Sequence, residues 1–263
     1  MIDIHSHLLP YLDDGATDWN EALQMARQAA EDGIRIIVAT PHHANGRYHN
    51  PGQVVKQAVA DLNQKIQELN LELLVLPGQE VRVYDNLLED LNSGEGLLPL
   101  NESRYLLIEL PSTSVPKNMD ELIFELSIKG YQAVIAHPER NSEIAGNPKI
   151  LEQLVDSGAL GQLTAQSVAG HHGRKLQKLS IDLCRRNLVH LIATDAHDLK
   201  YRPFRLAEAY QFIQKELGLE IEQYFKDNAK KIVSNLPISS VERNVQHPVR
   251  RNRVSKILSI FNH

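Results

Sequence analysis

Cysteine is nearly absent: Cys184 is the single thiol in 263 residues. One thiol excludes an intrachain disulfide and suits a reducing compartment. No apolar run approaches the length of a membrane span. Asp3 and His5 stand where a signal peptide needs a basic and then an apolar stretch. A cytoplasmic protein with no transmembrane segment is expected. Excess positive charge is also lacking, and a net charge of −5 argues against nucleic acid as a partner. The G-x-G-x-x-G signature of doubly wound nucleotide-binding sheets is missing. So is the C-x5-R loop of cysteine-dependent phosphatases, which would need arginine where His190 stands. An apolar content of 42% fits a globular protein.

Histidine is what the chain has in quantity, with 12 residues, several beside strand-like runs and carboxylates. The chain opens Met1-Ile2-Asp3-Ile4-His5-Ser6-His7. Side chains at i and i+2 of a strand share a face, so His5 and His7 are expected to project together, as two imidazoles on one metal ion would. A loop over 8–17 follows, and Asp18 or Thr17 is expected to cap a helix over Trp19–Glu31. Further strands are expected at 34–39, 71–76, 105–110, 133–136, 160–165 and 189–193. Helices are expected at 51–69, 119–129, 149–156, 175–186, 203–217 and 221–233. Seven strands alternating with helices imply a parallel α/β sheet, closed or nearly closed into a barrel. That reading gives one domain over 1–239. In the tail, 240–263, Arg243, Arg250, Arg251, Arg253 and Lys256 stand against Glu242. The tail thus carries +4, and −5 minus +4 leaves −9 for the rest. A solvated tail is expected, with a basic segment for an acidic partner or an anionic membrane face as the alternative.

The chemistry lies where the apolar strands end. His5, His7, His42, Glu80, Glu109, His137, Asp195 and His197 all follow or close such runs, with Asp14 on the first loop. In a parallel barrel these ends share one face, so the residues should converge on one mouth. A carboxylate such as Glu109, inside Leu106-Leu107-Ile108-Glu109-Leu110, is costly to bury unless paired or metal-bound. Without thiolate ligands a structural zinc site is disfavoured. The mixed nitrogen and oxygen donors suit Mn²⁺, Fe²⁺ or catalytic Zn²⁺. Several ions a few Å apart with a bridging hydroxide would suit phosphoester hydrolysis. Asp13 competes with Asp14, and one of them is expected to be a turn residue. His43 is read as a group behind the ligands or one that touches substrate, while His49 and His190 are set aside. His171 and His172 line the mouth or lie in solvent. Arg140 suits bidentate phosphate recognition, Arg202 and Arg205 less clearly. Cys184 is read as a core residue of a helix.

Seven segments resemble the PHP (polymerase and histidinol phosphatase) superfamily, and within it the CpsB/YwqE group of capsule-type protein-tyrosine phosphatases. They are Ile4-His5-Ser6-His7, Asp13-Asp14-Gly15-Ala16, Ala39-Thr40-Pro41-His42-His43, Pro77-Gly78-Gln79-Glu80, Ile108-Glu109-Leu110-Pro111, Ala136-His137-Pro138-Glu139-Arg140 and Thr194-Asp195-Ala196-His197. The resemblance runs to about residue 235 and implies a distorted TIM-like (β/α)₇ barrel holding up to three divalent ions, usually Mn²⁺. It implies His5, His7, Glu80 and Asp195 on one ion. Glu80, Glu109 and His137 would hold a second, and Asp14, His42 and His197 a third. Arg140 and Arg202 would bind phosphate, and His43 could assist the leaving group. The implied reaction is attack of a metal-bridging hydroxide on phosphotyrosine of a protein, here a bacterial tyrosine autokinase of polysaccharide export. A homo-oligomer is compatible with the resemblance. Two alternatives stand beside it: a small-molecule enzyme such as a histidinol-phosphate phosphatase, and a metal-stabilised binding module for a membrane kinase. The segment Thr164-Ala165-Gln166-Ser167 with Gly170-His171-His172-Gly173 departs from the group's usual Gly-Ser and Phe-Gly.

Overall fold

The structure, a computed structural model, describes residues 1–93 and 96–238. The basic tail therefore lies outside the described residues. The strands are β1 (Ile2–Ser6), β2 (Ile36–Ala39), β3 (His42–His43), β4 (Leu74–Pro77), β5 (Glu80–Arg82), β6 (Tyr105–Glu109), β7 (Gln132–Ala136), β8 (Leu160–Thr164) and β9 (Leu191–Ala193). The helices are α1 (Trp19–Glu31), α2 (Gly52–Glu68), α3 (Leu87–Ser93), α4 (Met119–Ile128), α5 (Ser142–Gly146), α6 (Lys149–Asp156), α7 (Ala165–Ala169), α8 (Arg174–Arg185), α9 (Leu206–Leu217) and α10 (Leu219–Val233). Among the described residues every strand pairing is parallel.

Two sheets, in the orders β1-β2-β4 and β3-β5-β6-β7-β8-β9, together form one barrel. β2 runs on through Thr40-Pro41 into β3, and β4 runs on through Gly78-Gln79 into β5. The nine segments are thus seven barrel strands, two of them bent. Closure comes from β1 against the last strand: Asp195 N–H donates to the His5 carbonyl at 2.8 Å and His7 N–H to the Ala196 carbonyl at 2.8 Å. The bend at Gly78 leaves no room for a side chain, since a Cβ there would stand 2.8 Å from Val38 Cγ1.

Alternation along the strands builds the two cores. Ile4, Val38, Tyr105, Leu107, Val134, Ala136, Leu160 and Leu191 fill the barrel interior. Ile37, Val75, Leu106, Ile108, Ala133, Ile135, Leu163 and Ile192 face outwards under the helices. Buried residues Ala22, Met25, Ala26 and Ala29 make the apolar stripe of α1, and Asp18 caps it by accepting from Glu21 N–H. Cys184 is buried in α8, in the outer core. Ala229 and Ile232 of α10 close the interior where the strands begin, and the Tyr105 hydroxyl there donates to the Leu236 carbonyl at 2.6 Å. The opposite end, where the strands finish, is polar. Among the described residues no helix is long and apolar enough to cross a membrane.

Candidate metal centre

A bulge in β1 aims the first candidate ligand. Asp3 pairs with Ile37 and Ser6 with Ala39, so three steps in β1 match two in β2. Ile4 points into the interior, and strict alternation would send His5 outwards. The extra residue turns His5 inwards, where it meets Gln162 of β8. His42 opens β3, Glu80 opens β5 and Glu109 closes β6, all at inward positions, with Glu80 wholly buried. His137 and Asp195 follow β7 and β9 with φ of 33° and 55°. That left-handed backbone is uncommon outside glycine, and here two such residues aim side chains into one centre.

All nine sequence-predicted ligands come together. Four groups of side chains present ligand atoms within 4.8 Å of one another: His7, Asp14, His42 and His197; His5, His7 and Glu80; His5, His137 and Asp195; His42, Glu80 and Glu109. The first contains the trio the resemblance assigns to a third ion and adds His7. The grouping differs at Glu80 and Glu109, which gather His42, while His137 Nε2 lies 2.8 Å from Glu80 Oε1.

The donor chemistry fits cations. His5 Nδ1 lies 2.8 Å from Gln162 Oε1, an acceptor whose amide nitrogen is already donated to the Leu163 carbonyl. His7 Nδ1 lies 2.6 Å from the Asp13 carboxylate, and His197 Nδ1 2.9 Å from the Asp195 carbonyl. Each Nδ1 must therefore carry its proton, which leaves each Nε2 a bare lone pair when the ring is neutral. His5 Nε2 and His7 Nε2 nevertheless face each other at 3.2 Å. Two lone pairs that close need a shared positive charge between them, a proton or a metal ion. His42 Nδ1, Glu80 Oε2, Glu109 Oε2, Asp195 Oδ1 and His197 Nε2 are all buried with no hydrogen-bond partner. His42 Nδ1 and Glu80 Oε2 are 2.8 Å apart without the alignment of a hydrogen bond, as two ligands around a common ion would be.

Electrostatics carries the same signal. Burial would lower the His5 imidazole, but the Glu80 and Asp195 carboxylates hold it up at about 9. His42 is likewise held at about 9, against burial, by Glu80 and Glu109. His197 is pushed down to about 2 by burial and by His7. Glu80, despite burial, is held well below the usual carboxylate range by His5 and His42. Burial and the charge of Glu80 raise Glu109.

Two arginines close one side. Arg140 Nη1 and Arg202 Nη2 both donate to Asp195 Oδ2, whose other oxygen is 3.3 Å from His5 Nε2 and from His7 Nε2. A cavity of about 220 Å³ lies beside Arg140, His137 and Ser112. Arg205 is instead paired with Glu208 at 3.1 Å. His43 stands behind the cluster rather than in it. Its neighbour His42 faces the centre, so strand alternation turns His43 away, where its Nδ1 donates to the Asn50 carbonyl at 2.9 Å. It joins none of the ligand groups found. His171 pairs with Glu208 at 2.9 Å, and His172 Nδ1 sits 3.2 Å from Ser167 Oγ. His190 is buried and accepts the Gly161 N–H at 3.2 Å.

Most of the contacts behind the candidate ligands went unread in the sequence. Asp13 is more than a turn residue: besides His7 it accepts the N–H of Gly15 and of His42, both at 2.9 Å. Asp14 is exposed, 3.4 Å from His42 Nε2 and 3.6 Å from His197 Nε2. Gln162 had a signal, an amide among the buried residues of a strand. Glu139, wholly buried between Pro138 and Arg140, accepts the backbone N–H of Thr164 at 2.9 Å and its hydroxyl.

The model of the family described as capsular polysaccharide synthesis, CpsB/CapC, matches residues 1–234. The tyrosine-protein phosphatase YwqE of Bacillus subtilis is 43% identical over 254 residues, 97% of this chain and 98% of that protein. The tyrosine-protein phosphatase CpsB of Streptococcus pneumoniae is 30% identical over 239 residues, 89% and 98% respectively. A solved structure from work on these two enzymes, described as unique metal-dependent tyrosine phosphatases, superposes with a TM-score of 0.89 at 44% identity. It covers 92% of this chain and 100% of that one. This chain belongs to the CpsB/CapC family of capsular polysaccharide synthesis.

Proposed function

We propose that the protein is a metal-dependent protein-tyrosine phosphatase, with Mn²⁺ as its ion and a tyrosine autokinase of polysaccharide export as its substrate. The observation that carries this reading is the set of five buried candidate ligand atoms without a hydrogen-bond partner, of which Glu109 Oε2 is 3.1 Å from Arg82 Nε, beside two arginines that share one carboxylate oxygen. His5, His7, Asp14, His42, Glu80, Glu109, His137, Asp195 and His197 are the proposed ligands, on one domain over 1–239 in the cytoplasm. Divalent ions there would supply an acidified water and positive charge against the phosphate oxygens.

The remaining work falls to side chains of this chain. Arg140 and Arg202 release part of their hold on Asp195 and fork onto the equatorial phosphate oxygens, as planar guanidinium groups do. Asp13 and Gln162 keep the His7 and His5 rings in the tautomer that presents Nε2 inwards. A phenolate leaves at lower cost than an alkoxide, so the reaction asks little of a general acid, consistent with His43 facing away. The test compares phosphate release from a phosphotyrosine peptide and from histidinol phosphate by Mn²⁺-loaded protein. A clear preference for the peptide, reduced by about 10²-fold or more in Arg140→Ala, is expected. Preference for histidinol phosphate would make the protein a small-molecule phosphatase.

A further inference from the structure

The loop between β3 and α2 presents an aromatic ring that the metal centre does not use. Asn45 Oδ1 accepts the backbone N–H of Arg47 at 3.0 Å and of Tyr48 at 2.8 Å. Asn50 Nδ2 donates to the carbonyls of Leu12 and His42, both at 2.8 Å. The loop is thus tied both to the ligand strand and to the first loop. On this frame the half-buried Tyr48 ring lies within 8° of parallel to the His42 imidazole, with centroids 6.1 Å apart. The Arg47 guanidinium lies over the Tyr48 ring, 4.9 Å from its centroid. Aromatic residues are only 5% of the sequence, yet two further tyrosines are exposed on loops at the same end of the barrel. Tyr11 follows β1 and is 67% exposed, and Tyr201 follows β9 and is 76% exposed.

We propose that Tyr48 is the aryl-binding wall of the site. The phenyl ring of the substrate lies against the face of Tyr48, beside the His42 imidazole that runs parallel to it, so the site selects aryl over alkyl phosphate monoesters. This inference rests on the phosphatase reading and names the part of the substrate that the site recognises. With the phosphate held at the ligand cluster and Arg140, an aryl ester carries its ring one oxygen away from phosphorus. A flat ring there can meet the Tyr48 face in an offset-parallel contact. An alkyl chain has no face to offer and gains only ordinary apolar contact. The guanidinium of Arg47 holds the Tyr48 ring in place by a cation–π contact.

The test is equilibrium binding of phenylphosphonate and methylphosphonate to the Mn²⁺-loaded protein, in the wild type, Tyr48→Leu and Tyr48→Phe. Neither ligand can be hydrolysed. The wild type is expected to favour the phenyl ligand. In Tyr48→Leu the phenyl-to-methyl affinity ratio should fall about threefold to tenfold, the size of one aromatic pair contact. Tyr48→Phe should keep the ratio. An unchanged ratio in Tyr48→Leu overturns the proposal. An equal loss for both ligands also overturns it, since Tyr48 would then act only through His42. A phenyl preference that depends on Tyr48, in a protein that releases no phosphate from phosphotyrosine, would sustain the wall while overturning the phosphatase reading.

Discussion

Single residues set which nitrogen of each imidazole faces the centre, and Asp13 shows how much rests on that choice. Its carboxylate accepts from His7 Nδ1, Gly15 N–H and His42 N–H at once. Asp13→Asn keeps the shape and removes the charge, so Mn²⁺ affinity should fall about 10- to 100-fold. Calorimetric titration measures it, and an unchanged affinity would make Asp13 a turn residue after all. Protonation follows from the same contacts. In the metal-free protein the Glu80 and Asp195 carboxylates hold His5 at about 9 against its burial, and Glu80 and Glu109 do the same for His42, above the ordinary value of 6.5. A raised histidine contributes stability that is complete below 6.5 and is lost as pH rises through about 9. Metal-stripped protein should therefore show a Tm that declines from about pH 6.5 to 9. Mn²⁺ binding should release protons across that window, because the ion takes their place. Titrations in buffers of different ionisation heat count the protons, and a heat independent of buffer would contradict the exchange of protons for metal.

Elements fix where those residues stand, and here sequence and structure can be compared closely. The helix over Trp19–Glu31 and its Asp18 cap are legible because capping and an apolar stripe are local signals. The strand ends are less so. The strands expected over 34–39 and 71–76 end short of Pro41 and Gly78, yet each of these is a bend beyond which the strand continues, at His42 and Glu80. The strand expected over 160–165 ends at Thr164, and an unexpected short helix, α7, begins at Ala165. The bulge in β1 is invisible in the sequence because alternation assumes one residue per step. Parity also decides between the two places read for His43: it turns away from the centre because His42 faces it. The first loop shows how tight these elements are: a Cβ on Gly15 would stand 1.8 Å from the His7 carbonyl oxygen. Gly15→Ala must push the loop away, taking Asp13 and Asp14 with it. A loss of about 1–3 kcal/mol in stability is expected, with weaker Mn²⁺ binding. Denaturant unfolding would show it, and a wild-type midpoint would contradict the packing described.

For the whole molecule, the barrel gathers nine candidate ligand side chains at one end and closes the other with apolar residues of α10. The convergence is legible in the amino-acid sequence, because parallel strands put their C-terminal ends on one face whatever their details. The tautomer logic and the arginine pair are not, since they depend on contacts between distant segments such as His5 with Gln162 and Arg140 with Asp195. A cluster of buried carboxylates and imidazoles with unpartnered atoms should be held together by its ions. Metal removal should lower Tm by several degrees, read by calorimetry with and without a chelator; equal transitions would mean that the cluster is stable without ions. The central claim, hydrolysis of phosphotyrosine at this cluster, is tested most directly by phosphate release from a phosphotyrosine peptide. The protein is first stripped of metal, then given Mn²⁺, with His42→Ala in parallel. Activity that is absent after stripping, returns with Mn²⁺ and stays at least about 10²-fold lower in His42→Ala is the result expected of a metal-clamped reaction. Full activity in the stripped protein, or in His42→Ala, would contradict it.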